Sequence, residues 1–317
     1  MQPDIFYPPQ PSTRDERTAA RLVEDNSAKA FPSCPVTLTA DPLCPKDFAR
    51  LADLLSGHAG IRLPPNKRLM MEGRLRRRVR ALGLSTIEEY CSLLFRDDHP
   101  PEEFAHLVDA VTTNKTDFFR EPQHFEFLKR EIVPSLLTHR RPSAGHLLKF
   151  WSAASSNGAE AYSIAMQLAD LAAFTAPFRF AILGTDISTQ VLAQAIRATY
   201  TEEMVRPIPM DMQLRYLMRP RAIAARGEVR IVPELRRLCR FVHLNLMDAR
   251  YPFDRDVDVI FLRNVLIYFD RPTQEVVIAR LVSHLRLGGY LLLGHSESML
   301  GTNIQLRQMT PAVFQHI

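Results

Sequence analysis

Cysteine is scarce, with four in 317 residues. Cys34, Cys44, Cys91 and Cys239 are scattered without zinc-type spacing, and two of them fall in a proline-rich segment. Neither a metal site nor a disulfide framework is expected. Long apolar runs are also missing. No stretch reaches the roughly 20 residues of a membrane-spanning helix. Met1 to Ala40 contains no signal-peptide core, so a cytoplasmic protein that is not membrane-embedded is expected. The net charge of +5 is small, and no internal repeat is evident.

What is present points to a globular chain of more than one part. The hydrophobic content of 46% and charged content of 24% are ordinary for a soluble protein. Residues 1–45 hold eight of the 23 prolines without sustained periodicity, and read as a disordered extension. Residues 46–110 read as a small helical domain. "FARLADLLSGHAG" runs to a glycine stop, "NKRLMMEGRLRRRVRALGL" is strongly helical, and "STIEEYCSLLF" opens with a capping box. A polar segment, residues 111–121, then leads into residues 122–317. There the runs "HLLKFWS", "FRFAILGTD", "DVDVIFLRN" and "GGYLLLG" alternate with amphipathic helices, the pattern of a parallel, doubly wound α/β sheet. "EVRIV" and "RFVHLNL" fall between the second and third of these strands, so a β-rich insertion is expected at about 200–242. "PAVFQHI" suits an antiparallel edge strand.

In such a sheet the ligand sits beyond the carboxyl ends of the strands. The first strand runs into "WSAASSNGAEAYS", a turn of small residues with no G-x-G-x-x-G, only Gly158. Glu160 stands in the first helical turn, where a carboxylate repels phosphate and suits a cationic or donor-rich ligand; it also suits the helix dipole. The second strand ends in "GTDIS", and Asp186 is placed either to accept ribose hydroxyls or to cap the next helix. Asn245 and Leu246 follow a β-rich piece, and Arg263, Asn264 and Tyr268 cluster after the third strand. "GHSES" imitates a nucleophile elbow at Ser296. It lacks the closing glycine and has no acid beyond Glu297, so a hydrolase is not expected.

Taken together, "TTNKTDFFRE", "WSAASSNGAEAYS", "GTDIS", "LNLMD", "FLRNVLIYFD" and "GGYLLLGHSES" have the order and spacing of the CheR-type chemotaxis receptor methyltransferases. The chain resembles that family from about residue 46 to 317. The resemblance implies a Rossmann-like S-adenosylmethionine-dependent methyltransferase domain with a small β-subdomain insertion, preceded by an all-helical domain. It implies that glutamate carboxylates of chemoreceptors are methyl-esterified and that S-adenosylhomocysteine is released. The cofactor contacts it implies are Asn114, Thr116, Arg120, Glu160, Asp186, Asn245, Leu246, Arg263 and Asn264, with Arg120 and Tyr268 at the reacting centre and no metal. Phe118 and Phe119 are expected to pack the domain junction rather than the ligand. Two departures stand out. Ala159 and Ala161 replace a glutamate and a proline in the family's G-E-E-P-Y-S turn. "RPRAIAARGEVRIV" has Gly227 alone where family members that grip a receptor's C-terminal pentapeptide carry a glycine-rich loop.

Arg62 to Arg80 hold eight basic residues against one acid, Glu72. On a helical wheel Met71, Leu75, Val79 and Leu82 form an apolar stripe, and Lys67, Arg74, Arg77 and Arg78 fall on another face, expected to be exposed. Such a run suits a solvated face or nucleic acid. The resemblance implies instead a docking face for the cytoplasmic helical bundle of a chemoreceptor, with the enzyme gathered at membrane-bound receptor arrays. Two other readings use the same fold: a non-catalytic regulator that binds S-adenosylmethionine, and a nucleic-acid methyltransferase. The second would more often show an N-P-P-Y-type motif where this chain has "RNVLIY".

Overall fold

Gly60 ends the first helix, α1 (Pro45–Ala59), in the left-handed region at φ 69°, and its N–H closes on the carbonyls of Leu55 and Ser56. A side chain there would strike the Met247 sulfur at 2.7 Å and the Phe269 ring at 3.0 Å, so the stop is also a point of contact between domains. The computed structural model describes residues 42–96, 101–112, 114–139, 147–174, 177–219, 227–253, 255–297 and 305–317. The proline-rich reading of residues 1–41, the stretch 220–226 of "RPRAIAARGEVRIV" and Ser298 of "GHSES" lie outside them.

The extension expected through residue 45 gives way earlier. Cys44 caps α1 by accepting the Asp47 N–H, and Leu43 is buried in the same core as Phe48, an apolar staple across the helix start. In the capping box, Thr86 accepts the Glu89 N–H at 3.0 Å and Glu89 reaches back to the Ser85 N–H at 2.8 Å, opening α3 (Ile87–Leu94). Between them lies α2 (Arg68–Ala81), entered through a 3₁₀ turn at Pro65–Lys67. Its Met71, Leu75 and Val79 meet the core of α1, α3 and α4 (Pro101–Val111).

The arginines of α2 do not form one exposed face. Arg77 and Lys67 are exposed, but Arg74 donates to the carbonyls of Val111 and Thr112 at the C-terminus of α4. Arg78 grips Glu103 with two hydrogen bonds, of 2.9 and 2.6 Å. The reason is packing: α4 lies against the side of α2 next to its apolar stripe, and Glu103 on α4 is only 3% exposed. A carboxylate so placed requires a cation, and the carbonyls at a helix end favour one.

Helix α5 (Pro122–Phe127) passes through a π turn at Leu128–Ile132 into a helical segment ending at His139. Five strands then build a parallel sheet: β1 (Leu147–Ala153), β2 (Arg179–Asp186), β6 (Cys239–His243), β7 (Val257–Leu262) and β8 (Leu285–Leu293). The order is β6-β2-β1-β7-β8, continued by antiparallel β10 (Val313–His316) and β9 (Leu306–Thr310). β7 is buried at every position, as a strand covered on both faces must be. The helix α6 (Ala159–Phe174) follows β1, α7 (Thr189–Arg197) follows β2, and α8 (Arg271–His284) precedes β8.

Two expectations are corrected here. The insertion is a separate antiparallel sheet of β3 (Thr199–Thr201), β5 (Glu228–Ile231) and β4 (Leu217–Met218), and "RFVHL" is not part of it. As β6 it pairs in parallel with β2 and extends the main sheet, so the insertion closes before residue 239. Secondly, "PAVFQHI" is antiparallel but not at the edge, because β9 lies outside it. β9 is half-exposed to exposed along its length and carries no buried-strand signal.

Chain reversal at β1 divides the sheet. From β1 the chain builds toward β2 and β6, then returns to β7 on the other side, which leaves a crevice beyond the carboxyl ends of β1 and β7.

Arg78→Ala should destabilise the fold by about 2–3 kcal/mol, somewhat below the roughly 3–5 of a fully buried broken pair because Arg78 keeps some contact with solvent. Arg77→Ala should stay within about 0.5 kcal/mol, as substitutions at unengaged surface positions do. Denaturant unfolding of the two variants measures both; equal stabilities would mean that the Arg78–Glu103 contact contributes nothing.

Candidate functional site

The crevice holds a cavity of about 410 Å³. Its floor is the set of strand ends, and one wall comes from the helical domain through Ile61, Leu63 and Met70. Asn114, Thr116, Arg120, Glu160, Asp186, Asn245, Leu246, Arg263, Asn264 and Tyr268 all line it, as does Lys67 at its rim. Residues from six separated stretches thus meet at one place. Phe118 and Phe119 do not line it. Phe118 is buried edge-to-face against Tyr200 at 4.9 Å, and Phe119 packs on Phe125 at 5.0 Å.

The turn after β1 is built from left-handed backbone at Ala154, Ser156 and Gly158. At Gly158 a Cβ would lie 2.9 Å from that of Ala195, so the turn lies directly against α7. With alanines at 159 and 161, the turn is held by other means. Asn157 accepts the Ala159 N–H, Tyr200 donates to the Asn157 carbonyl at 2.7 Å, and the Ser156 hydroxyl donates to the Asn114 carbonyl at 2.8 Å.

Asp186 accepts the backbone N–H of Ser156 on one oxygen and that of Ser188 on the other, at 2.8 and 2.9 Å. It is not the cap of α7; Ser188 is, accepting the Val191 N–H. Burial raises the Asp186 carboxyl above its usual range, more than these N–H groups lower it, and nearby Asp109 adds to the rise. A carboxylate offers about four acceptor directions, so Asp186, which lines the cavity, keeps acceptor capacity beyond these backbone groups. That suits a pair of adjacent hydroxyls.

Glu160 accepts the Ser152 hydroxyl at 2.7 Å on one oxygen and Arg263 at 3.0 Å on the other. Burial raises its carboxyl, opposed chiefly by the Arg263 charge. Arg263, from the end of β7, is itself almost fully buried. Its guanidinium also binds Glu121 at 3.1 Å and the Arg120 carbonyl. Arg263 therefore joins the segment 114–121 to the sheet, and it reaches any ligand as part of this network rather than as a free cation.

Asn245 lines the cavity, and its side-chain amide is engaged within the protein. Its nitrogen donates to the His58 carbonyl at 2.6 Å and its oxygen accepts the Met247 N–H at 2.9 Å. With the Arg62 N–H bonded to the Tyr268 carbonyl at 2.8 Å, it stitches the helical domain to the sheet. Asn264, left-handed at φ 59°, donates to Glu121 at 3.3 Å. Arg120 lies half-buried at the cavity and donates to the Lys115 carbonyl.

Two carboxylates central to the site were not singled out from the sequence. Glu121 holds Arg263 and Asn264. Burial raises its carboxyl, but Arg263 and the donors around it bring it net below the ordinary range. Glu297 accepts four backbone N–H groups, of Gly294, Asn264, Val265 and Leu266, at 2.6 to 3.0 Å. It ties the β8 end to the 3₁₀ turn that carries Tyr268. Segment 294–297 forms a turn, closed by the Glu297 N–H on the Gly294 carbonyl at 2.9 Å. Beside Glu121, His124 packs edge-to-face on His295 at 4.9 Å. Burial and the Arg263 charge lower the His124 pKa to about 4, against the pull of Glu121.

Among the described residues no helix is long and apolar enough to cross a membrane. Comparison with known proteins gives the site its context. Residues 114–314 match the family model described as CheR methyltransferase, SAM binding domain, and residues 46–112 match CheR methyltransferase, all-alpha domain. The chain is similar to the chemotaxis protein methyltransferase of Escherichia coli, at 40% identity over 79% of this chain and 84% of that one. It is 37% identical to chemotaxis protein methyltransferase 2 of Pseudomonas aeruginosa over 85% of this chain and 92% of that one. A chemotaxis protein methyltransferase of Borreliella burgdorferi is 34% identical over 85% and 93%. With the two family models matched over residues 46–112 and 114–314 and these identities over most of its length, the chain belongs to the CheR methyltransferase family, an S-adenosylmethionine-dependent group of methyltransferases.

Proposed function

We propose that this protein methylates glutamate side chains of chemoreceptors, giving methyl esters. The observation that carries the reading is the meeting of Asp186, Glu160, Arg120 and Tyr268 at one crevice, in a chain of this family. The residues present fit S-adenosylmethionine. Asp186 offers acceptor capacity at the cavity to the ribose diol, Glu160 offers a carboxylate to the amino group, and Leu246 supplies an apolar surface for the base. When bound, that molecule supplies a methyl group on a sulfonium centre.

The chain's own work is then mainly positional. A solvated glutamate side chain, which titrates at about pH 4.3, is already ionised at neutral pH, so no general base has to activate it. Arg120, half-buried at the cavity, is the group to orient the incoming carboxylate, and Tyr268 offers a hydroxyl from the turn that Glu297 anchors. Alignment of reacting groups in a water-poor site is worth on the order of 7–11 kcal/mol. Arg263 holds Glu160 and the Arg120 backbone in place. For docking, Lys67 and Arg77 remain exposed from the expected face. They are the cations that would meet an acidic receptor bundle, while Arg74 and Arg78 serve the fold.

Asp186→Ala should weaken binding of S-adenosylhomocysteine by about ten- to a hundredfold in calorimetry, because hydrogen bonds to a charged group are worth about 1.5–3 kcal/mol; unchanged affinity would leave Asp186 as a clamp for the turn only. Arg120→Ala should slow single-turnover methyl transfer at saturating cofactor by more than it weakens cofactor binding. A normal rate there would remove it from the reacting centre. With labelled S-adenosylmethionine and receptor-bearing membranes, the protein should form base-labile methyl esters. That labelling should drop on Arg77→Glu and fall as salt rises, since exposed charges are screened over about 8–10 Å. Label in nucleic acid, or none, would overturn the proposal.

A further inference from the structure

Outside the cavity, Glu121, His124 and His295 bring three metal-capable side chains together, with one ligand atom of each within 4.8 Å of the others. The measured pairs are His124 Nδ1 to Glu121 Oε2 at 3.4 Å and His295 Nε2 to the same oxygen at 4.0 Å. Two residues come from the start of α5 and one from the turn after β8, so the cluster spans a seam between separate parts of the chain. None of the three lines the cofactor cavity.

A second observation concerns His124 itself. It is 2% exposed, yet neither ring nitrogen has a hydrogen-bond partner. A buried imidazole without partners is costly. Its contact with Glu121 is close enough for attraction but lacks hydrogen-bond geometry. The ring faces His295, which is half open to solvent and provides a route in. Two imidazoles and a carboxylate form a donor set for a borderline divalent ion, and zinc sites of this composition keep a further position for water. Around a tetrahedral zinc with metal–nitrogen distances near 2.0–2.1 Å, neighbouring ligand atoms lie about 3.3 Å apart. The separations observed lie between that spacing and 4.8 Å, within reach of side-chain rotation.

We propose that Glu121, His124 and His295 form a binding site for a zinc-class divalent cation, whose occupation competes with Arg263 for Glu121. The competition follows from the shared atom: Oε2 of Glu121 is the oxygen that Arg263 holds at 3.1 Å. A cation on that oxygen repels the guanidinium and removes one of its anchors. Arg263 also holds Glu160, so the ion acts on the cofactor site without entering it. This second part rests on the cofactor reading given above; ion binding itself does not.

The test titrates the full chain with Zn²⁺ in calorimetry, first without nucleoside and then with S-adenosylhomocysteine. One ion per chain is expected, and His295→Gln and His124→Gln should each weaken it by at least about tenfold, the lower range for loss of even an outer partner of a metal site. Cobalt substituted for zinc should give a visible spectrum without a thiolate charge-transfer band, which separates this site from the free cysteines. His295 is half-exposed, so its variant keeps the test valid if the His124 variant does not fold. Saturating Zn²⁺ should weaken S-adenosylhomocysteine binding, and the nucleoside should weaken Zn²⁺ by the same factor. Absence of zinc binding, or binding unchanged in His295→Gln, overturns the site. Zinc binding that leaves nucleoside affinity unaltered overturns the competition. Failure of the nucleoside to bind the metal-free chain counts against the cofactor reading alone.

Discussion

One buried arginine, held between two carboxylates, governs the arrangement of the site. Arg263 leaves the end of β7 with Glu160 from α6 on one side and Glu121 from the inter-domain segment on the other. Three charges in a low-dielectric place stabilise one another only when all are present and their hydrogen bonds are met; any single loss strands the rest. Ser152 takes part on the Glu160 side and Asn264 on the Glu121 side. The path of residues 114–121 over the sheet ends follows from this contact, and so does the placement of Arg120 beside the cavity. Sheet, helix and linker are joined by charge where an apolar junction would have excluded a polar ligand.

Glu297 does for the loops what Arg263 does for the elements. Four N–H groups from two separate strand ends close on a single carboxylate. Peptide groups leaving a sheet have lost their ladder partners and, when buried, need substitutes. By taking them all, one side chain sets the depth at which Asn264 and the turn carrying Tyr268 sit. The cavity wall is therefore defined by backbone satisfaction as much as by the side chains that face it.

Much of this was legible in the sequence, for reasons that are mostly local. The glycine at 60, the capping box at Thr86 and Glu89, and the buried runs of β1, β2, β7 and β8 each declare themselves within a few residues. Candidate ligand residues could be read at strand ends because the fold puts the carboxyl ends of its five parallel strands on one side. What could not be read depends on distant partners. The helical wheel separates faces of α2 but says nothing of α4 lying along one of them, so Arg74 and Arg78 looked free. β6 looked like part of the insertion because its half-exposed pattern marks an outer strand without saying of which sheet. Glu297 sits 31 to 33 residues from three of the groups it binds. No spacing rule connects them.

Phe119 and Glu121 flank Arg120, and both adopt left-handed backbone, at φ 51° and 55°. For residues with a Cβ that conformation costs roughly 1–2 kcal/mol each, and glycine would relieve it. Glycine at 119 would remove the ring that packs on Phe125, and glycine at 121 would strip Arg263 of an anchor. Relief of about 1–2 kcal/mol is smaller than the roughly 3–5 kcal/mol that stranding a buried arginine costs, so at Glu121 stability and the work of the site select the same residue. The segment has little freedom to drift: the contacts that hold its strained backbone are the same ones that place Arg120 beside the cavity, so a change that loosened one would be felt in both.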